Sequence, residues 1–309
     1  VEVLKQIGCR IHIGTATMPS ALENAILEIL EEKQVQNVQL PDLVLDSFNR
    51  HKVYKADSLV DLHPVIQQAI EQEWKILIVC NRVVNAQVIF KQMDELYPEV
   101  KKMLIHSRFR RGDRNNKEKE LKAYSATSEA CIVVATQVVE VSLDISFDLM
   151  ITEAAPIDAL IQRFGRINRK RTTETIGKYK PVYVITPPAK DVDCLPYSSE
   201  VLKRSFEVLP DNGMLLKEAE LQSLIDQVYP VVEKIEILEA VLINEKWRLK
   251  ELWHFPKSAL IERLDIDSAV CITQEDDETG RYREANNDER ILMEIPVRYS
   301  SLRWKKLKQ

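Results

Sequence analysis

The sequence has little that would serve a secreted or membrane-embedded protein. Its five cysteines are an odd number and form no CxxC pair. Cys9, Cys80 and Cys131 lie inside apolar runs (CRIHIG, ILIVCN, CIVVAT), which reads as buried free thiols in a reducing cytoplasm and not as a disulfide framework. No apolar run reaches the roughly 18 residues that a membrane helix needs. The N-terminus shows no signal-peptide pattern, so neither a membrane nor an export route is expected. The five histidines are scattered, with no HxH, HExxH or His-Asp pair, and no metal site is expected from them. Internal repeats and low-complexity tracts are missing. So is the GxxxxGK[ST] loop, whose backbone N–H groups cradle polyphosphates. The pair Asp94-Glu95 does not supply an acidic metal-binding strand end, because it falls late in an amphipathic helical pattern. Val1 opens in mid-pattern without a methionine, as a fragment would.

What is present is ordinary in bulk and organised in detail. At 309 residues the chain exceeds one typical domain, and 45% hydrophobic with 29% charged residues is a soluble composition. A net charge of −5 means that any surface for nucleic acid must be local. Along the chain, apolar β-branched runs alternate with helical periodicity. CRIHIGTAT (9–17) reads as a strand, and ALENAILEILEEK (21–33) as a helix started by Pro19 and Ser20. Residues 35–57 read as a connection that ends in a strand, HKVYKA. Then follow a helix marked by Leu62, Val65, Ile66, Ala69 and Ile70, the strand KILIVC, and a helix from Val83 to Leu96. The strand KMLIHS, the charged helix GDRNNKEKELKAY, the strand CIVVAT, the strand FDLMIT, the helix PIDALIQRF and the strand YKPVYVIT complete the series. This alternation predicts an α/β domain with a parallel sheet and helices on both faces. Beyond about residue 210 the rhythm breaks. ELQSLIDQVYPVVEKIEILEAVL reads as a helix interrupted at Pro230. AVCIT and LMEIPVRY read as short strands and QEDDETG as an acidic turn, which together make a smaller mixed C-terminal region.

Open parallel sheets bind ligands beyond the carboxyl ends of their strands, and the polar residues of this chain collect there. GTAT, CNR, HSRFRRGDR and ATQVVEVSLDIS each follow a strand. QRFGRINRKR (162–171) carries five cationic side chains, with Arg163, Arg166 and Arg169 three apart. A solvated basic helix face would look the same in isolation. Residues 101–119 form a second basic stretch, suited to nonspecific attraction of phosphates or to a solvated face. Asn81 and Ser107 could equally cap helices, and Thr15 and Thr17 could close a simple turn. His106, beside Ser107, reads as a packing residue.

Taken as an ordered series, these stretches resemble superfamily 2 helicases. ATQVVEVSLDIS (135–146) and IQRFGRINR (161–169) are similar to their motifs V and VI, GTAT (14–17) to motif III and ILIVCNRVVNAQ (76–87) to motif IV. The wording is most like the C-terminal helicase portion of the CRISPR-associated helicase–nuclease of type I interference systems, over about residues 9–190. The resemblance implies a RecA-like fold: residues 1–34 would end a first RecA-like domain, 35–50 link, 51–210 form the second and 211–309 an accessory region. It implies a parent enzyme that hydrolyses ATP with Mg²⁺ and moves along single-stranded DNA, recruited by a CRISPR RNA-guided surveillance complex. Arg166 and Arg169 would be arginine fingers, with Gln162, Arg163, Gly165 and Asp144 on the nucleotide side. Asn81, Ser107, Arg108, Thr136 and Gln137 would hold the DNA backbone, and Thr15 and Thr17 would couple the two. Lacking the phosphate loop, the Mg²⁺-binding acidic strand end and a nuclease centre, the chain alone would be inactive. It would need its N-terminal domains. Another superfamily 2 motor, or a non-catalytic RecA-like nucleic-acid-binding module, are the other readings.

Overall fold

The computed structural model describes residues 1–231, except 2–3, 6–7, 32–34, 126, 143–144 and 171, and residues 269–297. Its helices are α1 (Ser20–Leu30), α2 (Asp42–Asp46), α3 (His63–Glu71), α4 (Val83–Leu96), α5 (Arg111–Ser125), α6 (Val138–Ser142) and α7 (Ile157–Phe164). They continue with α8 (Asp191–Cys194), α9 (Ser199–Val208), α10 (Leu221–Val228), α11 (Gln274–Glu278), α12 (Arg281–Glu284) and α13 (Asn287–Met293). Seven strands form one sheet: β1 (His51–Ala56), β2 (Lys75–Val79), β3 (Lys101–Ile105), β4 (Cys131–Ala135), β5 (Leu149–Glu153), β6 (Lys180–Ile185) and β7 (Met214–Leu216). A second, two-stranded antiparallel sheet is formed by β8 (Ala269–Cys271) and β9 (Ile295–Val297). No described helix is long and apolar enough to cross a membrane.

The sheet order is β3-β4-β2-β5-β6-β1-β7. The first six strands run parallel and β7 returns antiparallel along β1. The continuous apolar strands account for burial on both faces. In β2, Leu77 and Val79 face one core with Val133, Ala135, Ile157, Leu160 and Phe164. Ile76 and Ile78 face the other, with Ile66, Ala69, Ala86 and Met93. The α/β class with a parallel sheet and helices on both faces, expected from the alternation, is therefore what forms. Two compact units divide the chain: residues 1–106 with 116–232, and residues 107–115 with the C-terminal region. In the first unit, α1 is tied to α10, because Ser20 donates through its N–H and its hydroxyl to the two oxygens of Asp226, each at 2.7 Å.

Four local expectations are corrected. CRIHIGTAT is not a strand; residues 9–15 are irregular and Ile13 is 43% exposed. A β-branched run becomes a strand only when a neighbour accepts its ladder bonds, and among the described residues this run has none. Cys9 is consequently exposed, whereas Cys80 and Cys131 are buried. The connection 35–57 contains α2, which follows Pro41. The acidic stretch 274–280 is not a turn but begins with α11: the Thr273 hydroxyl accepts from the Asp276 N–H, and carboxylates in the first turn suit the helix dipole. In LMEIPVRY, Leu292 and Met293 end α13, and of its described residues Ile295–Val297 are extended. The helical reading after Pro230 falls, from residue 232 on, outside the described residues.

Two predictions arise here. Burial pushes the Cys131 thiol up to about 11 and the Cys80 thiol well above its ordinary value. Iodoacetamide at pH 8 should therefore alkylate Cys9 in the native protein while sparing both, and peptide mass spectrometry would show any failure. Gly213, with φ 75°, precedes β7, and an added Cβ would lie 2.6 Å from the Tyr54 hydroxyl. Alanine there must push Tyr54 off its stack with Tyr183, whose ring lies 4.8 Å away between centroids. A loss of about 1–3 kcal/mol is expected, and an unchanged urea midpoint for Gly213→Ala would refute it.

Candidate functional site

The helix after β2 packs on one face of the sheet, through Ala86 and Met93, and the helices after its two neighbours β4 and β5 pack on the other, through Val139, Ile157 and Leu160, so the crossovers diverge at β2. Ligands of open α/β sheets settle at such a switch point. Register pairs Val79 with Ala135 on one side and with Thr152 on the other. Asn81, Thr136 and Gln137, which follow β2 and β4, and Glu153, the last residue of β5, are thereby brought side by side.

Beneath them lies Arg163. On α7 it shares the apolar stripe of Ile157, Leu160 and Phe164, and it is 0% exposed. Its Nε donates to Glu140 Oε1 at 2.8 Å, Nη1 to Thr152 Oγ1 at 2.8 Å and to the Glu153 carbonyl at 3.3 Å, and Nη2 to Asn81 Oδ1 at 3.0 Å. One guanidinium thus joins α6, the end of β5 and the residue after β2. Burial pushes the Glu140 carboxyl above its ordinary value, and the adjacent Arg163 opposes that shift.

Asn81 is spent on the same frame. Its N–H donates to Glu153 Oε2 at 2.6 Å, its side-chain amide donates to the Ala154 carbonyl at 2.7 Å, and its own carbonyl accepts from Gln137 Nε2 at 2.8 Å. Gln137 also reaches the Tyr197 hydroxyl at 3.4 Å, and Asn85 donates to Glu153 Oε1 at 2.8 Å. Thr136 is buried, with its N–H on the Ile105 carbonyl at 3.2 Å. Thr152, Glu153, Asn85 and Tyr197 are site residues that the sequence pattern does not single out. The signal for one of them exists: in ITEAAP a carboxylate ends an apolar strand.

The arginine loop is laced to the segment before β5. Phe147 and Ile167 form a parallel bridge, with the Phe147 N–H on the Arg166 carbonyl at 2.9 Å and the Asn168 N–H on the Phe147 carbonyl at 3.1 Å. The Arg169 N–H donates to Ser146 Oγ at 3.0 Å. Asn168 adopts the left-handed φ of 49°, which asparagine tolerates, and its side chain donates to the Lys178 carbonyl at 2.8 Å. His51, buried under the loop, meets the Ile167 carbonyl at 3.2 Å through Nε2. The Arg166 guanidinium donates to the Glu140 carbonyl. Arg166 and Arg169 are half-buried and Gln162 is exposed. Gly165 closes α7 at φ −57°, a conformation open to any residue. Asp144 lies outside the described residues.

The other candidates from the sequence are placed as follows. Thr15 is exposed, and its hydroxyl accepts from the Thr17 N–H at 3.2 Å, a turn-like bond. Ser107 and Arg108 are exposed and belong to the second unit. His106 is buried, as expected of a packing residue. The basic stretch 101–119 is not one open phosphate-attracting face, because several of its cations are matched internally. Lys101 pairs with Glu129, Lys102 (5% exposed) with Asp94 at 3.4 Å, Arg110 with Asp276 at 2.9 Å and Arg111 with Glu294 at 3.7 Å. Chemically, the arrangement offers half-buried guanidinium groups on a clamped loop beside a switch point, which suits a highly charged anion.

Comparison with known proteins bears on the same stretch. Residues 72–172, from the threshold of β2 to the end of the arginine loop, match the family model described as CRISPR-associated nuclease/helicase Cas3, C-terminal. The CRISPR-associated nuclease/helicase Cas3 of Methanothermobacter thermautotrophicus is 27% identical over 244 residues, covering 74% of this chain and 28% of the relative. The crystal structure of T. fusca Cas3-ADP aligns at 25% identity with a TM-score of 0.51, over 58% of this chain and 24% of that one. A crystal structure of a CRISPR-associated protein aligns with a TM-score of 0.62 over 91% of this chain and 34% of that one, and at 22% identity it shows likeness of fold. The chain spans about a third of the length of the curated relatives it matches. It is similar to the C-terminal helicase portion of those nuclease/helicases.

Proposed function

We propose, from this similarity to the CRISPR-associated nuclease/helicases, that the chain is the C-terminal part of an ATP-dependent single-stranded DNA translocase acting in CRISPR defence. Residues 51–210 would be its second RecA-like domain, 1–34 the end of the first, 35–50 the link and 211–309 an accessory region. The observation that carries the reading is the arginine loop, clamped by backbone and side-chain bonds at the switch point of a RecA-like sheet. Phosphoryl transfer offers little covalent work to a protein; it is accelerated by holding charge opposite the γ-phosphoryl oxygens. Arg166 and Arg169 fit that need, as arginines supplied from one wall of a cleft. Gln162 and Gly165 shape the loop, and Asp144 would face the ribose. Arg163, enclosed in the frame, acts through position and not by touching nucleotide.

Bound ATP supplies the phosphoryl group whose transfer to water drives the motor. The GxxxxGK[ST] loop that would cradle its phosphates and help to hold its Mg²⁺ is missing from the sequence. The metal and the phosphate cradle are assigned to an N-terminal RecA-like domain joined to this chain, and the isolated 309 residues would not turn over ATP. On the DNA side, Thr136, Gln137, Ser107 and Arg108 would hold phosphates without reading bases. Asn81 would serve by fixing Gln137. Thr15 and Thr17 would couple nucleotide state to DNA grip. The partners are single-stranded DNA and an RNA-guided surveillance complex, in the cytoplasm. One related structure aligned to this chain is that of a CRISPR RNA-guided surveillance complex, pre-nicking.

The test compares ATP hydrolysis by the intact protein and by this chain alone, each with and without a homopolymeric single-stranded DNA. The intact protein should turn over ATP only with DNA and the chain alone not at all. Turnover indifferent to DNA would end the translocase reading.

A further inference from the structure

The second unit contains a buried ion pair that the proposed chemistry does not use. Arg110 Nη2 donates to Asp276 Oδ2 at 2.9 Å and to Thr273 Oγ1 at 2.8 Å. The Thr273 hydroxyl donates to the same Asp276 oxygen at 2.7 Å, and Asp276 is 0% exposed. The Asp276 N–H returns a bond to Thr273 Oγ1 at 3.2 Å, the cap of α11. Arg281 Nη1 lies 3.9 Å from the other carboxylate oxygen. Two further contacts join the same pieces of chain. The Arg111 N–H donates to the Glu294 carbonyl at 3.0 Å, and a Cβ on Gly112 would lie 3.2 Å from the Leu292 carbonyl. Residues 110–112 are therefore held at three consecutive positions by segments that lie far away in sequence, Thr273 being 163 residues from Arg110.

Desolvating a carboxylate and a guanidinium is costly, and apolar side chains of similar volume often hold two segments together as well. What an ion pair adds is register: one guanidinium, one carboxylate and one hydroxyl meet in one arrangement only. Just before this anchor stand Ser107 and Arg108, with Phe109 between them and Arg110, and both are exposed.

We propose that Asp276, with Thr273, is a positioning residue for the DNA-backbone contact made by Ser107 and Arg108. The C-terminal region would thereby fix the loop after β3 through Arg110, which is an anchor and not itself a phosphate ligand. The proposal rests on the reading of Ser107 and Arg108 as DNA contacts, and the experiment separates the two.

Fluorescence anisotropy of a fluorescein-labelled oligodeoxythymidylate would be followed over a range of salt concentrations for the intact protein and four variants. These are Arg108→Ala, Asp276→Asn, both together, and Gly112→Ala. Arg108→Ala should weaken binding by about tenfold and lower the slope of log K against log salt by about one. Asp276→Asn should reproduce both changes, the double variant should add nothing, and Gly112→Ala should move both readouts the same way with the ion pair intact. A destabilised C-terminal region would lower the amount of active protein without changing the salt slope. Gly112→Ala therefore decides the matter even where Asp276→Asn folds poorly. An Arg108→Ala loss that Asp276→Asn and Gly112→Ala do not share, or additive effects in the double variant, would overturn the positioning role alone. No effect of Arg108→Ala would overturn the DNA-contact reading and the proposal with it.

Discussion

Alanine at Arg166 is expected to lower the DNA-stimulated ATP turnover of the intact protein by about 10³-fold or more. The loss should fall on kcat with little change in nucleotide affinity, because an arginine finger would act on charge that develops in the transition state. Arg166→Lys should restore little, since a point charge does not reproduce the planar fork. The fold should survive the change. The backbone bonds of this residue, its N–H to the Arg163 carbonyl at 2.8 Å and its carbonyl to the Phe147 N–H at 2.9 Å, need no side chain. The side-chain bond to the Glu140 carbonyl would be lost. Single-turnover kinetics and a thermal melt on the same preparation separate the two effects. A kcat near wild type, or a melt that collapses together with the rate, would remove Arg166 from the chemistry.

The second large effect concerns Arg163. Arg163→Ala leaves a carboxylate, a hydroxyl and an amide oxygen without the donor they share, on Glu140, Thr152 and Asn81, around a side chain that is 0% exposed. Breaking a buried pair from one side costs roughly 3–5 kcal/mol. The melting temperature should fall by about 10 °C for a domain of this size. Arg163→Lys should recover a minor part, because one ammonium cannot span acceptors on α6, β5 and the residue after β2. Urea unfolding is the measurement. A lower midpoint at constant m supports the brace, whereas an unchanged midpoint with weakened ATP binding would return Arg163 to the nucleotide.

Much of the fold is legible in the sequence because its signals are local and periodic. The run from Val83 to Leu96 and the strands ILIV and IVVA declare their period within a few residues, so both buried faces can be anticipated. Sequence and structure part where an element depends on partners distant in the chain. CRIHIGTAT has strand composition but no neighbour among the described residues. In QEDDETG the density of charge masks a helix whose cap, Thr273, stands one residue earlier. The order of the strands is set by packing and no local pattern reports it. At the site, the arginine cluster is visible as a cluster, but its division of labour is not. Position 163 falls between Leu160 and Phe164 on the apolar stripe of α7, so a helical projection places it inward. Three arginines spaced alike thus have unequal surroundings, one enclosed and two at the surface of the loop.

The margins of the large sheet carry a consequence for self-association. A strand at a sheet's rim offers unpaired N–H and C=O groups to any passing chain. Among the described residues one rim is β7, three residues long, and the other is β3, which opens with Lys101. The first is too short to template a stable partner strand, and the second places the half-exposed Lys101 ammonium at the start of any intruding ladder. The domain should therefore stay monodisperse at concentrations where a long apolar rim would recruit copies of itself into fibrillar stacks.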